Sequence, residues 1–468
     1  MPSVRSTLAL AASAAVLAAC ATGPDYVQPV PPGADSGAFV SSASPAFTQE
    51  APPADWWRLF DDQALDGLVR QALEANKDVA IAQANLAQVR ASLSETRAGR
   101  LPSTNASASA ARVRNQDPAS GSYGEGDSFS AGFDVSYEVD LFGRVGRSIE
   151  ASRADADAAA AALESVRVSV AAETARAYAD ACAAGAQIAV ADRTVALQQQ
   201  TFDLTSRQLQ VGAGTALDVA SAAALVDTTR AAVPTLEASR DAALFRLAVL
   251  TGRPPSDAPE IAKLCKTVPQ VASAIPVGDG ASLLKRRPDV RQAERELAAA
   301  TARIGVATAS LYPTVTLGGG IATSGARAGD LGDDFTFNIG PLISWSFPNI
   351  AVAKARIAQA GAAADGSLAR FEKANLTALQ EAETALTQYA RELERRATLT
   401  RARDQSAKAA QLARQRYNAG VDSFLPVLDA ERTLAGLDTQ LAQSQALVAT
   451  YQVAVFKALA GGWDAAAA

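Results

Sequence analysis

The stretch that decides the fold is residues 128–141, which reads SFSAGFDVSYEVDL. Every second residue in it is apolar or aromatic, and the residues between them are polar or glycine. This alternation predicts a β-strand with one apolar face and one polar face. A similar alternation returns at residues 335–347, which read FTFNIGPLISWSF, so the chain has two such strands.

A weaker alternating segment precedes each of these strands, at about 102–113 and about 312–322. Stretches rich in glycine, aspartate and serine, residues 115–127 and 323–334, separate the members of each pair. We therefore predict two hairpins with long loops. The three consecutive glycines at 318–320 have no GK[ST] sequence after them, so they indicate a narrow strand and not a phosphate-binding loop.

Strands of this length, with one apolar face that carries aromatic residues, suit a transmembrane barrel with a wet interior. Four strands are too few to close a membrane barrel, and an open sheet edge is not tolerated in lipid. We therefore expect other copies of the chain to complete the cylinder. Three copies would give a twelve-stranded β-barrel with a lumen wide enough to conduct.

Two segments without proline, about 143–210 and about 350–417, are rich in alanine, glutamate, arginine and glutamine. Alanine is the best helix former, and a helix rises 1.5 Å per residue, so each segment predicts a helix roughly 100 Å long. Returning helices are predicted at about 215–250 and about 423–460. Helices this long need neighbours along their whole length, which predicts a helical tunnel beside the four strands.

Glycine turns join each long helix to its returning helix. Gly212 and Gly214 precede Thr215, which is a candidate N-cap, and Gly420 lies a few residues before Pro426. Glycine and proline at these positions are typical of a helix end and of the next helix start. The sequence thus predicts two helical hairpin tips, at the ends farthest from the strands.

The part of the chain after the leader is a tandem duplication with a period of roughly 210 residues, because the same motifs recur in the same order. Residues 76–79 match 287–290, and residues 210–215 match 418–423. The predicted organisation is a signal peptide (1–19), an extended N-terminal segment (20–60), a first repeat (61–262), an equatorial linker (263–287), a second repeat (288–462) and a C-terminal tail (463–468).

The N-terminus reads as a secretory signal. Arg5 supplies the positive charge, residues 8–18 are small and apolar, and residues 17–20 read LAAC. This sequence resembles the bacterial lipobox, in which the cysteine becomes the acylated first residue, so Cys20 is a candidate lipidation site. The alternative is an ordinary signal peptide with an accidental cysteine. Ala21, in place of aspartate, indicates the outer membrane as destination.

The composition argues against catalysis and nucleic-acid binding. The chain has no histidine, a net charge of -6 and no CxxC pair, so the usual general bases, metal sites and basic patches are missing. We expect no enzyme activity, no metal, no cofactor and no nucleic-acid partner. Cys182 and Cys265 form a disulfide or remain two buried free thiols, since an oxidising compartment permits both.

Several motifs together resemble the TolC-like outer-membrane efflux proteins, in particular their lipoprotein branch, which is NodT-like and works with RND-type pumps. They are GPDY at 23–26, WWRLF at 56–60, YEVDLFG at 137–143, LLKRRPDV at 283–290 and YNAG at 417–420. The resemblance implies a mainly α-helical trimer with a twelve-stranded membrane β-barrel and a periplasmic barrel of twelve helices. It also implies an equatorial belt made of the N-terminal segment, residues 253–287 and the C-terminal segment.

The resemblance also implies a function, namely the exit duct of a tripartite pump that exports drugs or other small toxic molecules. The duct would be lipid-anchored in the outer membrane, extend into the periplasm and engage a periplasmic adaptor and an inner-membrane RND-type transporter. By position, Leu425 and Asp429 match residues that ring the periplasmic gate. Tyr417 and Arg432 match residues that hold the closed state, and the tip glycines match adaptor-docking turns.

Other interpretations remain open from the residues alone. Asp429 lies near a helix start, where the helix dipole favours an acidic residue, and Tyr417 fits a packing role at a helix end. An exit duct for protein secretion would share the predicted fold. A passive envelope protein without a pore is a third possibility, against which the polar strand faces argue.

Overall fold

The computed structural model describes residues 22–33, 37–116, 121–332, 334–346 and 349–459. The predicted signal peptide, Cys20 and the C-terminal tail lie outside the described residues. The described residues include the linker and most of both predicted repeats.

Long helices dominate the described residues. Their order is α1 (Gln63–Ala75), α2 (Lys77–Ala98), α3 (Arg144–Gln210), α4 (Ala216–Arg230), α5 (Val233–Leu250), α6 (Glu260–Lys263), α7 (Gly280–Arg286), α8 (Pro288–Ala309), α9 (Ile350–Asn418) and α10 (Leu425–Ala458). The two longest helices, α3 and α9, match the two proline-free segments. Within the described ranges, no helix combines the length and the hydropathy that crossing a membrane requires.

The strands are β1 (Phe47–Thr48), β2 (Ser103–Gln116), β3 (Tyr123–Val139), β4 (Ile275–Pro276), β5 (Thr314–Gly325) and β6 (Phe335–Ser344). The four long strands form one antiparallel sheet in the order β2-β3-β5-β6. The central pair, β3 and β5, joins the first repeat to the second. The outer strands β2 and β6 are therefore the two edges of the sheet within the described chain.

The first returning helix differs from its prediction. The sequence predicts a single helix over about 215–250, but α4 ends at Arg230 and α5 begins at Val233. Pro234 lies in the first turn of α5, where its missing N–H costs nothing, whereas inside a continuous helix it would remove a hydrogen bond and clash with the preceding turn. The prediction of one helix here is wrong.

The first strand hairpin is longer than expected. The composition of residues 115–127 predicts a loop, but β2 continues to Gln116 and β3 begins at Tyr123. Side chains pair across the two strands at this extension: Arg112 lies 3.5 Å from Asp127, and the Arg114 guanidinium lies 5.2 Å from the Tyr123 ring centroid. Cross-strand pairs of this kind stabilise a hairpin. The prediction of a loop from polar composition alone is therefore wrong for the ends of this segment.

The chain divides into two compact units. The first contains residues 22–29, 85–160 and 292–372 with the four-stranded sheet, and the second contains residues 30–84, 161–291 and 373–459. In the second unit β1 pairs in parallel with β4, which attaches the N-terminal segment to the linker. Trp56 stacks on Phe456 at 5.0 Å between ring centroids, and both are buried in the core of this unit.

Candidate functional site

The four-stranded sheet has one apolar face and one polar face. Its register aligns residues of the same polarity across all four strands. One row is apolar and the next row is polar. The apolar row is Ala106, Phe133, Ile321 and Phe337, and the polar row is Asn105, Asp134, Gly320 and Asn338. The apolar side chains are exposed in the single chain; Phe337 is 74% exposed. Such a face needs lipid or protein to cover it.

The glycine run of β5 has a steric reason. A Cβ added to Gly320 would lie 2.6 Å from Oδ1 of Asp134 and 3.1 Å from Oδ1 of Asn338. The absence of a side chain therefore makes room for two polar side chains on the neighbouring strands. The predicted narrow strand is in this way part of the polar face.

The first helical tip, between α3 and α4, is closed by a left-handed glycine and a capping box. Gly212 has a φ of +78°, a value that non-glycine residues adopt at a cost. The Thr215 hydroxyl oxygen accepts from the Asp218 amide at 3.2 Å, and the Asp218 carboxylate accepts from the Thr215 amide at 3.1 Å. These bonds satisfy helix N–H groups that would otherwise have no partner.

The second tip, between α9 and α10, is built differently. Gly420 has a φ of +72°, but α10 begins without any side-chain cap. Arg416 forms a two-pronged ion pair with Asp422 at 2.5 and 2.9 Å. Hydrogen bonding to Arg416 lowers the pKa of the Asp422 carboxyl. An exposed ion pair thus takes the place of the capping box.

Three of the predicted gate residues lie on one stripe of α10. Leu425, Asp429 and Arg432 are four and three residues apart, which places them on the same helix face, and all three are exposed. Leu425 is 69% exposed. Among the described residues, neither Asp429 nor Arg432 has an ion-pair partner in its own chain. The stripe is therefore available to another copy of the chain or to a ligand.

Tyr417 does not join that stripe. Its hydroxyl donates to the Gln208 side-chain oxygen at the end of α3, and its ring centroid lies 5.5 Å from that of Phe424. Burial raises the pKa of the Tyr417 hydroxyl. Tyr417 and Phe424 belong to a small apolar cluster that also includes Val427. In this chain Tyr417 thus connects the two tips, and its role in the gate stays a prediction.

Sequence reasoning missed a buried carboxylate beside the stripe. Glu431 is 3% exposed, and its Oε1 accepts from Arg414 at 2.7 Å and from the Thr201 hydroxyl at 2.9 Å. Its Oε2 has no hydrogen-bond partner. The three residues belong to α10, α9 and α3. Their separation along the chain hides this contact from any local pattern.

The linker is fixed to α3 by a covalent bond. Cys182 and Cys265 form a disulfide with a Cα–Cα distance of 4.8 Å. Gly185 lies one helical turn after Cys182, where a Cβ would overlap the Cys265 carbonyl oxygen. The glycine therefore permits the linker to approach the helix closely enough for the bond. Of the two open alternatives, the structure contains the disulfide.

Arg287, from the LLKRRPDV motif, connects three helices. Its guanidinium donates to Asp289 at 2.8 Å, to Glu381 at 2.7 Å and to the Ala458 carbonyl oxygen at 2.9 Å. Burial lowers the pKa of Arg287, but the hydrogen bonds to Asp289 and Glu381 outweigh this effect and raise it. The motif is therefore a structural joint that ties together α8, α9 and α10.

The residues that follow the predicted lipidation site are attached to the unit with the sheet. The Thr22 amide donates to the Phe142 carbonyl oxygen at 3.2 Å, and the buried Arg147 donates to Asp25 at 2.5 Å. Gly23, with a φ of +90°, packs so closely on Gly305 that a Cβ would not fit. These contacts fix the chain close to the end of β3. Cys20 itself lies outside the described residues, so its lipidation stays a prediction.

Comparison with known proteins agrees with this arrangement. The family model described as "Outer membrane efflux protein" matches residues 68–253 and 281–461. The chain is 31% identical to the toluene efflux pump outer membrane protein TtgC of Pseudomonas putida, over 98% of this chain and 96% of that protein. It is 29% identical to nodulation protein T of Rhizobium leguminosarum bv. viciae, over 98% of this chain and 94% of that protein.

A solved structure described as the outer-membrane channel OprN superimposes with a TM-score of 0.89 at 35% identity, and the match covers 95% of this chain and 100% of that one. The family match spans both repeats, and the structural match includes the sheet and the long helices. The family consists of channel and efflux proteins and not of enzymes. This chain therefore belongs to the outer membrane efflux protein family.

Proposed function

We propose that three copies of this efflux protein form the exit duct of a tripartite pump for small toxic molecules. The observation that carries this proposal is the four-stranded sheet with an exposed apolar row, an aligned polar row and two free edges. In lipid the edges need partner strands, and within the described chain none remain. Further copies supply those strands in a twelve-stranded barrel.

In such a barrel the apolar row faces lipid and the polar row lines the lumen. Asp134 of each copy then gives the lumen a negative lining. The long helices α3 and α9 extend the duct into the periplasm, and an acylated Cys20 holds each copy to the outer membrane. The contacts of Thr22 and Arg147 near the end of β3 support this position for the anchor.

The periplasmic end of the duct is where partners act. The tips that contain Gly212, Gly214 and Gly420 dock an adaptor, which in turn connects the duct to an inner-membrane RND-type transporter. The exposed stripe with Leu425, Asp429 and Arg432 closes the lumen when copies meet at the axis. The name of the Pseudomonas putida relative supports toluene as one of the exported compounds.

The gate is tested by single-channel recording of trimers in planar bilayers. Asp429→Ala removes the carboxylate that each copy contributes to the closed gate, so we expect a severalfold rise in conductance. Asp192→Ala is the matched control, because it removes an exposed carboxylate from α3 away from the tip. A conductance of the Asp429 variant equal to that of the control would remove Asp429 from the gate.

A further inference from the structure

A long groove lies in the second unit, between α3, the two returning helices α4 and α5, and α10. Its volume is about 660 Å³. This value falls within the range of sites that bind drug-sized molecules, roughly 300 to 1,000 Å³. The groove extends along α10 from Leu428 to Gln443, so it is roughly 22 Å long at 1.5 Å per residue. An elongated molecule fits this shape.

The walls of the groove are apolar in effect, although they contain many threonines. Most of these hydroxyls donate to the carbonyl oxygen one turn earlier in their own helix, and their methyl groups remain on the surface. They are Thr194, Thr228, Thr229 and Thr439. Aliphatic side chains, such as Val190, Leu225 and Leu236, complete the walls. The groove therefore favours the apolar body of a ligand.

One cation stands at the end near the tip. Arg432 is the single charged residue among those that line the groove, and it has no ion-pair partner among the described residues of its own chain. Asp429 lies three residues earlier and does not line the groove, and Glu431 is buried against Arg414. An unpaired guanidinium beside an apolar wall offers charge-assisted hydrogen bonds to an anionic group.

The opposite end is polar but uncharged. The side-chain amides of Gln187 and Gln443 line it. The groove thus presents a cation, an apolar middle and a neutral polar end, in that order. This order of a cation, an apolar middle and a neutral polar end matches a small molecule with one anionic end. It does not match any particular feature of a helix from a second copy.

We propose that this groove binds drug-sized amphipathic organic anions, with the anionic group on Arg432 and the apolar body along the threonine-methyl wall. The inference deepens the proposed function, because it assigns a cargo class to a site near the gate. The biological role of the groove rests on the proposed duct function. Ligand binding is nevertheless tested independently, since binding and conductance are measured separately.

Equilibrium dialysis tests the proposal with the full-length protein in lipid nanodiscs, with empty nanodiscs subtracted. The probes are naphthalene sulfonate, naphthol and naphthylmethylammonium, which share a ring system and differ in charge. We expect the sulfonate to bind roughly tenfold more tightly than the ammonium compound, as an ion pair of about 1 kcal/mol in place of a repulsion implies. Equal affinity for the three probes would overturn the proposal.

Two variants separate the cation from the cavity. Arg432→Gln should weaken sulfonate binding about fivefold and leave naphthol binding unchanged. Gly436→Leu fills the groove, because a Cβ at Gly436 meets no atom within 4 Å, and should weaken both probes by about tenfold or more. The controls are Arg193→Gln, an exposed arginine outside the groove, and Gly361→Leu, a helical glycine with equally open surroundings elsewhere.

Sulfonate binding that Arg432→Gln leaves intact would refute the role of the cation. If the probes do not bind and Gly436→Leu instead dissociates the trimer, the groove is filled by a second copy and the proposal fails. In either case single-channel recording still reports whether the protein is a duct. Failure of this inference is thereby distinguished from failure of the proposed function.

Discussion

The two repeats hold the same linker with different chemistry. On the first repeat, the disulfide between Cys182 and Cys265 attaches the linker to α3. On the second repeat, the buried Gln452 side chain of α10 accepts from the Val271 amide at 3.1 Å and donates to the Val271 carbonyl oxygen at 3.0 Å. The two repeats have the same order of strands and helices, but they hold the linker through different contacts.

The two tips differ in the same way. A capping box that includes Thr215 closes the first tip, whereas the second tip has an exposed ion pair between Arg416 and Asp422 and a buried carboxylate at Glu431. The second tip therefore relies on ion pairs, which join α9 to the turn and to the helix that carries the exposed stripe. Duplication thus supplied two equivalent hairpins, and charged contacts make the second one sensitive to pH and salt.

The largest effect should come from breaking the covalent attachment on the first repeat. The disulfide closes a loop with a sequence separation of 83 residues, for which the chain-entropy relation gives about 4.5 kcal/mol. The double change Cys182→Ser and Cys265→Ser should therefore raise hydrogen exchange in residues 262–277. Reduction of the natural protein should do the same.

Reduction of the double variant is the control for this prediction, because no disulfide remains in it and exchange should stay constant. Unchanged exchange in both the reduced natural protein and the double variant would show that the contacts with the second repeat are sufficient to hold the linker. In that case the difference between the repeats would have no energetic meaning.

A smaller effect is expected from the buried carboxylate of the second tip. Glu431→Ala leaves Arg414 without its partner, but the Arg414 side chain is 35% exposed and water compensates in part. We expect a loss of local stability of about 2 kcal/mol, measured as hydrogen exchange in residues 410–435. Asp192→Ala is the control, since it removes an exposed carboxylate that has no ion pair among the described residues and lies outside the gate. Equal exchange in both variants would contradict the assignment.

The sequence predicts the parts of this fold that follow from local pattern. Alternation located β3 and β6, the lack of proline located α3 and α9, and repeated motifs located the two tips. The break before α5 could also have been predicted from the sequence, because Pro234 lies inside the segment for which one helix is predicted. The strand extension to Gln116 could not be predicted from composition, because it depends on pairs of side chains across the hairpin.

Contacts between residues distant in the chain explain why the site was only partly predictable. Glu431 is buried only because Arg414 and Thr201 reach it from two other helices, and Arg287 gains its partners Glu381 and Ala458 only after folding. No spacing in the sequence marks such partners. The exposed stripe was easier to locate, since Leu425, Asp429 and Arg432 follow the helical period.

The smallest effect concerns the exposed ion pair of the second tip. Arg416 lowers the pKa of Asp422, so the pair stabilises the tip above the unfolded pKa of about 4 and loses this contribution as the pH falls through the lower, folded pKa. We expect protection of the Val421 amide, which donates to the Arg416 carbonyl oxygen at 3.0 Å, to decrease slightly below about pH 4. Asp422→Asn should remove this pH dependence, and high salt should weaken it because the pair lies at the surface, with Arg416 exposed and Asp422 partly exposed. Protection of Val421 that falls equally in the natural protein and in Asp422→Asn would assign the acid response to another group, and the proposed difference between the two tips would then rest on Glu431 alone.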